Sequence, residues 1–126
     1  MLPISILMTK EIKKISAKAT VYETALLMKT HKIGSLLVEE GHECIGIVSE
    51  TDLVRKGLAE SVDPHKTTID SLMSSPVISV DIKRSPKEAN DIMSERGVRH
   101  LAVTEFGRIV GMLSVRDLLI YFKNAF

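Results

Sequence analysis

The chain is written twice. Gly46-Ile47-Val48-Ser49-Glu50-Thr51-Asp52 returns 65 positions later as Gly111-Met112-Leu113-Ser114-Val115-Arg116-Asp117. The same offset carries Leu7-Met8 onto Leu72-Met73, Glu23 onto Glu88, Met28 onto Met93, Leu36 onto Leu101, Val38 onto Val103 and Asp52-Leu53 onto Asp117-Leu118. One offset held without a gap marks an internal duplication, so the chain must fold as two copies of one unit. Each copy of the repeated motif ends an apolar run at a Ser, with an Asp three residues on. That pattern reads as a buried strand passing into a helix with a hydroxyl and a carboxylate in its first turn. Such a junction can bind a phosphate on free backbone N–H groups, or it can be a capping box and nothing more.

The remainder of each copy supplies the elements around this junction. A short helical turn ends in Leu-Met and is followed by a strand-like piece, Glu11–Ser16 in one copy and Pro76–Asp81 in the other. A helix then starts at Thr20-Val21-Tyr22-Glu23 or Ser85-Pro86-Lys87-Glu88. Both are capping boxes, the second with Pro at the first helical position. Gly97 suits a left-handed helix end, whereas its counterpart Lys32 predicts mild strain or a different exit. Two strands follow in each copy, turning at Gly41-His42 and at Phe106-Gly107, and the nearly continuous apolar runs of the second strand in each pair predict burial on both faces there. The closing helices begin at Ser49 and Ser114, the first running through Leu53, Val54 and Leu58. Asp63-Pro64 in a polar stretch marks a short linker. A β-α-β-β-α unit of this size leaves one sheet face uncovered, so the copies are expected to pack as a pseudo-twofold pair around a shared cleft.

At 126 residues, 44% hydrophobic and 26% charged, the chain can bury a core without disulfides or metal. A net charge of +1 provides no global field for nucleic acid or membrane. The lone Cys44, set in a strand, is expected to be a core residue. His31, His42 and His65 show no metal-ligand spacing and are expected at the surface. Neither a Gly-rich phosphate loop nor a Ser-His-Asp order is present, so no catalytic role is expected. The first ten residues hold no basic leader and no stretch approaches a membrane span, which makes a cytoplasmic location the expectation.

Two copies of Leu-Met, a capped helix, a hairpin and Gly-h-h-Ser-x-x-Asp (h apolar) resemble a tandem pair of CBS domains, the Bateman module, from about Ile6 to Leu119. The resulting expectation is an α/β (α+β) fold of two β-α-β-β-α repeats, residues 6–62 and 68–126, with their sheets facing the shared cleft. The resemblance implies a non-catalytic regulatory module that binds an adenine nucleotide or another adenosyl compound, requires no cofactor, forms a homodimer and signals to a protein partner not named by the sequence. It further implies a phosphate-side hydroxyl at Ser49 and Ser114 and a ribose-binding carboxylate at Asp52 and Asp117. Adenine contacts would fall to Ile12, Lys13, Ile33, Gly34 and Ser35 in one copy and to Val77, Ile78, Val98, Arg99 and His100 in the other.

The copies differ as anion sites. Arg99, His100 and Arg116 accompany the second motif, where the first has Gly34, Ser35 and Thr51, with Glu50 nearby to repel a phosphate. Asp117 is therefore expected to mark the stronger nucleotide site. A nucleic-acid-binding role is disfavoured by the charge balance and by the lack of a basic stripe or stacking aromatics. A purely structural dimerisation unit stays open as the other alternative.

Overall fold

The boundaries of each helix follow from side chains that meet the backbone's free ends. In the computed structural model, which describes residues 2–125, helix α1 spans Ile4–Leu7 and strand β1 spans Lys14–Ser16. Met1 of the N-terminal stretch and Phe126, the expected end of repeat 2, lie outside these residues. Helix α2, Val21–His31, opens on the predicted box: the Glu23 N–H donates to Thr20 Oγ1 at 3.1 Å and the Thr20 N–H to Glu23 Oε1 at 3.0 Å. Strands β2 (Ser35–Glu40) and β3 (Glu43–Ser49) lead into a short turn of helix α3, Glu50–Asp52, which widens into a π-helical stretch over Leu53–Leu58. After a 3₁₀ turn at Ile69–Ser71 the plan repeats as β4 (Ser79–Asp81), α4 (Pro86–Arg96), β5 (His100–Glu105), β6 (Arg108–Ser114) and α5 (Val115–Ala125).

Among the described residues the strands form two three-stranded sheets, ordered β1-β2-β3 and β4-β5-β6. In each, the first pair is parallel and the second antiparallel. The β-α-β-β-α reading holds, and both hairpins turn where expected. The first strands are shorter than predicted, since pairing begins only at Lys14 and Ser79. Burial on both faces, expected of β3 and β6, belongs to the central strands β2 and β5, where Leu36-Leu37-Val38 and Leu101-Ala102-Val103 are consecutive core residues. In β3 and β6 burial alternates instead, as on a sheet edge with one covered face.

Each sheet belongs to its own compact unit, and the units do not coincide with the sequence repeats. One unit is Lys13–Val77; the other joins Ile78 onward to the residues up to Ile12. Within Lys13–Val77 the core is built from Ala17, Val21, Met28, Leu36, Val38, Val48, Ile69 and Leu72. Its last two members come from the lead segment of the second repeat. Ser74 exchanges backbone hydrogen bonds with Ile47, at 2.8 and 3.0 Å, which fixes that segment beside β3. In the other unit Ile4 and Leu7 join Val80, Ala89, Met93, Leu101, Val103, Leu113 and Leu118, and Thr9 exchanges backbone bonds with Met112 at 2.8 and 2.9 Å.

This docking explains the motif glycines. A Cβ on Gly46 would stand 2.6 Å from Met73 Sδ and 2.8 Å from the Ser74 carbonyl oxygen; on Gly111 it would stand 2.6 Å from Met8 Sδ and 3.0 Å from the Thr9 oxygen. Both glycines let a neighbouring backbone approach the strand closely.

Of three local expectations, the strain at Lys32 is met and the other two change. Lys32 leaves α2 in the left-handed conformation, φ 55°, as Gly97 leaves α4 at φ 65°; the exit is therefore the same and a lysine occupies the strained position. Cys44 lies in β3 but is exposed. A bulge explains why: Val38 pairs with Gly46 and Glu39 with Cys44, so the intervening Ile45 breaks the alternation and Cys44 sits beside the turn of the hairpin. In the first closing helix the Ala59 N–H reaches the carbonyl of Val54, five residues back, so ordinary helical spacing does not apply. Gly57 takes the buried position there, while Leu58 is 79% exposed.

Candidate functional site

Strand register places the expected site residues of each unit side by side. Ser35 of β2 pairs with Ser49, the last residue of β3, and the Glu50 N–H donates to the Gly34 carbonyl at 3.0 Å. His100 of β5 pairs with Ser114, and the Val115 N–H donates to the Arg99 carbonyl at 2.9 Å. Gly34-Ser35 thus flanks the Ser49/Asp52 junction, and Arg99-His100 flanks Ser114/Asp117. Lys13 and Ile78 immediately precede the parallel partner strands β1 and β4, and their carbonyls accept from the Leu37 and Ala102 N–H groups at 3.2 and 3.1 Å.

The expected pairs Ile12-Lys13 and Val77-Ile78 are each divided by a unit boundary. Ile12 groups with the unit that holds Asp117, and Val77 with the unit that holds Asp52.

Both junctions are capping boxes, so that reading of the motif is correct as far as it goes. In the first, the Ser49 N–H donates to Asp52 Oδ2 at 2.9 Å, the Ser49 hydroxyl donates to the same oxygen at 3.2 Å, and the Asp52 N–H donates to Ser49 Oγ at 3.3 Å. In the second, the Ser114 N–H donates to Asp117 Oδ2 at 2.8 Å and the Asp117 N–H to Ser114 Oγ at 3.1 Å. The two carboxylates differ at the other oxygen. Lys56 Nζ stands 3.2 Å from Asp52 Oδ1. Asp117 Oδ1 has no partner among the described residues, and neither Arg99 nor Arg116 forms an ion pair among them.

Lys56 was missed in the sequence. The available signal was its position four residues after Asp52, a spacing that brings acid and base together on a helix. The second copy has Tyr121 there, half-buried and edge-on to Phe122 at 5.1 Å.

Outside the junctions little suggests chemistry. Partial burial of the Cys44 sulfur pushes its thiol up from the ordinary value, the Gly46 backbone and the charge of Lys14 pulling more weakly the other way, which is the reverse of what a nucleophile needs. Among the described residues no group of three or more His, Cys, Asp or Glu could hold a metal ion, and no helix is long and apolar enough to cross a membrane.

The family model of the CBS domain matches the chain twice, over residues 4–59 and 69–124. The chain therefore belongs to the CBS-domain family and carries a tandem pair, a class of regulatory, ligand-binding modules rather than catalytic ones. An uncharacterized protein of Methanopyrus kandleri is 35% identical over 106 residues, which cover 82% of this chain and 54% of that protein. The chain thus spans about half the length of that relative. A candidate signal-transduction protein with CBS domains from Burkholderia ambifaria superposes with a TM-score of 0.87 at 31% identity, covering 90% of this chain and 83% of that one. A hexameric CBS-CP12 protein from bloom-forming cyanobacteria superposes with a TM-score of 0.86 at 30% identity, covering 94% and 70%.

Proposed function

We propose that this CBS pair is an adenine-nucleotide sensor whose principal ligand contact is the Asp117 carboxylate. The observation that carries the reading is the contrast between the two boxes. Among the described residues Asp117 uses one oxygen to cap its helix and keeps the other available, whereas both oxygens of Asp52 are engaged. A free carboxylate oxygen accepts hydrogen bonds from the adjacent hydroxyls of a ribose, and its partner oxygen stays fixed by the Ser114 N–H. Arg99 and Arg116, beside the box in sequence and register, add positive charge suited to a phosphate tail.

Signalling then requires that the ligand bind one conformation of the chain better than another, since a ligand of equal affinity for both shifts nothing. Self-association as a homodimer and contact with a protein partner belong to the same reading. The hexameric state of the cyanobacterial relative supports the self-association.

A thermal-shift screen against adenosine, AMP, ADP, ATP, S-adenosylmethionine and NAD tests the proposal. A specific ligand at 100 times its dissociation constant stabilises by about 2.7 kcal/mol. No shift with any of these compounds at millimolar concentration would leave a structural role as the better account.

A further inference from the structure

Lys56 is held by three acceptors at once. Its ammonium nitrogen stands 3.2 Å from Asp52 Oδ1, 3.3 Å from the Leu72 carbonyl oxygen and 3.3 Å from Ser74 Oγ. A lysine ammonium has three N–H donors, and these contacts use all of them. The cation is therefore committed within its own unit rather than offered to a phosphate. Leu72 and Ser74 belong to the segment that docks on β3 through Ile47, so Lys56 ties the Asp52 box to that segment.

From this geometry we infer that Lys56 is the residue that sets the selectivity between the two boxes, closing the first with the protein's own cation. Asp52 Oδ2 already accepts the Ser49 N–H and hydroxyl, and Lys56 takes Oδ1, so a ribose must displace a paired ammonium to reach the carboxylate. Tyr121, at the equivalent position of the second copy, carries no charge to do the same to Asp117. The inference deepens the adenine-nucleotide reading and rests on it: it states why one box of a duplicated pair takes ligand and the other does not.

The test isolates the Asp52 box by working in an Asp117→Asn background of the full chain. Calorimetric titration with adenosine, which has a ribose but no phosphate, removes any contribution of charge attraction to the ligand. Lys56 is exposed, and Lys56→Met keeps its aliphatic stem; circular dichroism checks that the variants remain folded. Adenosine affinity of the Asp117→Asn, Lys56→Met protein is expected to exceed that of Asp117→Asn alone by about fivefold, the scale of losing one partly exposed ion pair. Lys56→Gln, neutral but polar, should move the same way. Unchanged or weaker adenosine binding in both double variants would overturn the inference while leaving the nucleotide reading intact, provided that wild type binds ATP. If neither wild type nor any variant binds ATP or adenosine, the nucleotide reading fails and the inference with it.

Discussion

Gly46 and Gly111 stand at the start of the repeated motif for a packing reason, and neither has a positive φ. Each faces the backbone of a docked lead segment, and the Ser74 carbonyl oxygen at 2.8 Å from a Cβ on Gly46 cannot be swung aside as a side chain could. Gly46→Ala should therefore destabilise the fold by about 1–3 kcal/mol, the usual cost of overpacking. Urea denaturation measures this, and an unchanged midpoint would contradict the close-approach explanation. The sequence marked these glycines by repetition but gave no reason for them, because Met73 and Ser74 lie far along the chain. Lys56 was hidden on the same ground: its spacing to Asp52 is visible, whereas its contacts with Leu72 and Ser74 depend on tertiary folding. Ser49, Asp52, Ser114 and Asp117 were legible because capping is local, a matter of three residues.

At the scale of elements, α2 and α4 were legible from their capping boxes and both close in the left-handed conformation, at Lys32 and Gly97. The α2 box has a consequence for pH. Hydrogen bonding from the Thr20 backbone, and then from its side chain, holds the Glu23 carboxyl below its ordinary value of 4.5. A lowered folded-state value means that the cap's contribution is present above the unfolded carboxyl value and is lost as pH falls through the lowered one. Wild type should therefore melt higher than Glu23→Gln at neutral pH, with the difference closing as pH is taken from about 5 toward 3. Melting followed by circular dichroism across that range checks this, and a constant difference would show that the glutamate acts through something other than its charge. The π-helical stretch at Leu53–Leu58 was not legible. Its leucines and valine satisfy a helical pattern, but Gly57 packs against Leu72, whose Cδ2 would lie 3.0 Å from an added Cβ, and a wider turn brings it there.

For the whole molecule, the duplication gave the sheet plan but not the exchange of lead segments. Repetition marks where a unit begins in sequence, whereas the cores form from whichever apolar segment docks: Ile69 and Leu72 complete the unit of β1–β3, and Ile4 and Leu7 complete that of β4–β6. The two units share one backbone plan yet differ in the chemistry of their boxes, and on that difference the functional account rests. Calorimetric titration of ATP into Asp52→Asn and Asp117→Asn variants tests it most directly. A hydrogen bond to a charged group contributes about 1.5–3 kcal/mol, and each 1.4 kcal/mol is tenfold in affinity. Asp117→Asn should therefore lose at least about tenfold in ATP affinity while Asp52→Asn stays close to wild type; undiminished affinity in Asp117→Asn, or a larger loss in Asp52→Asn, would contradict the account.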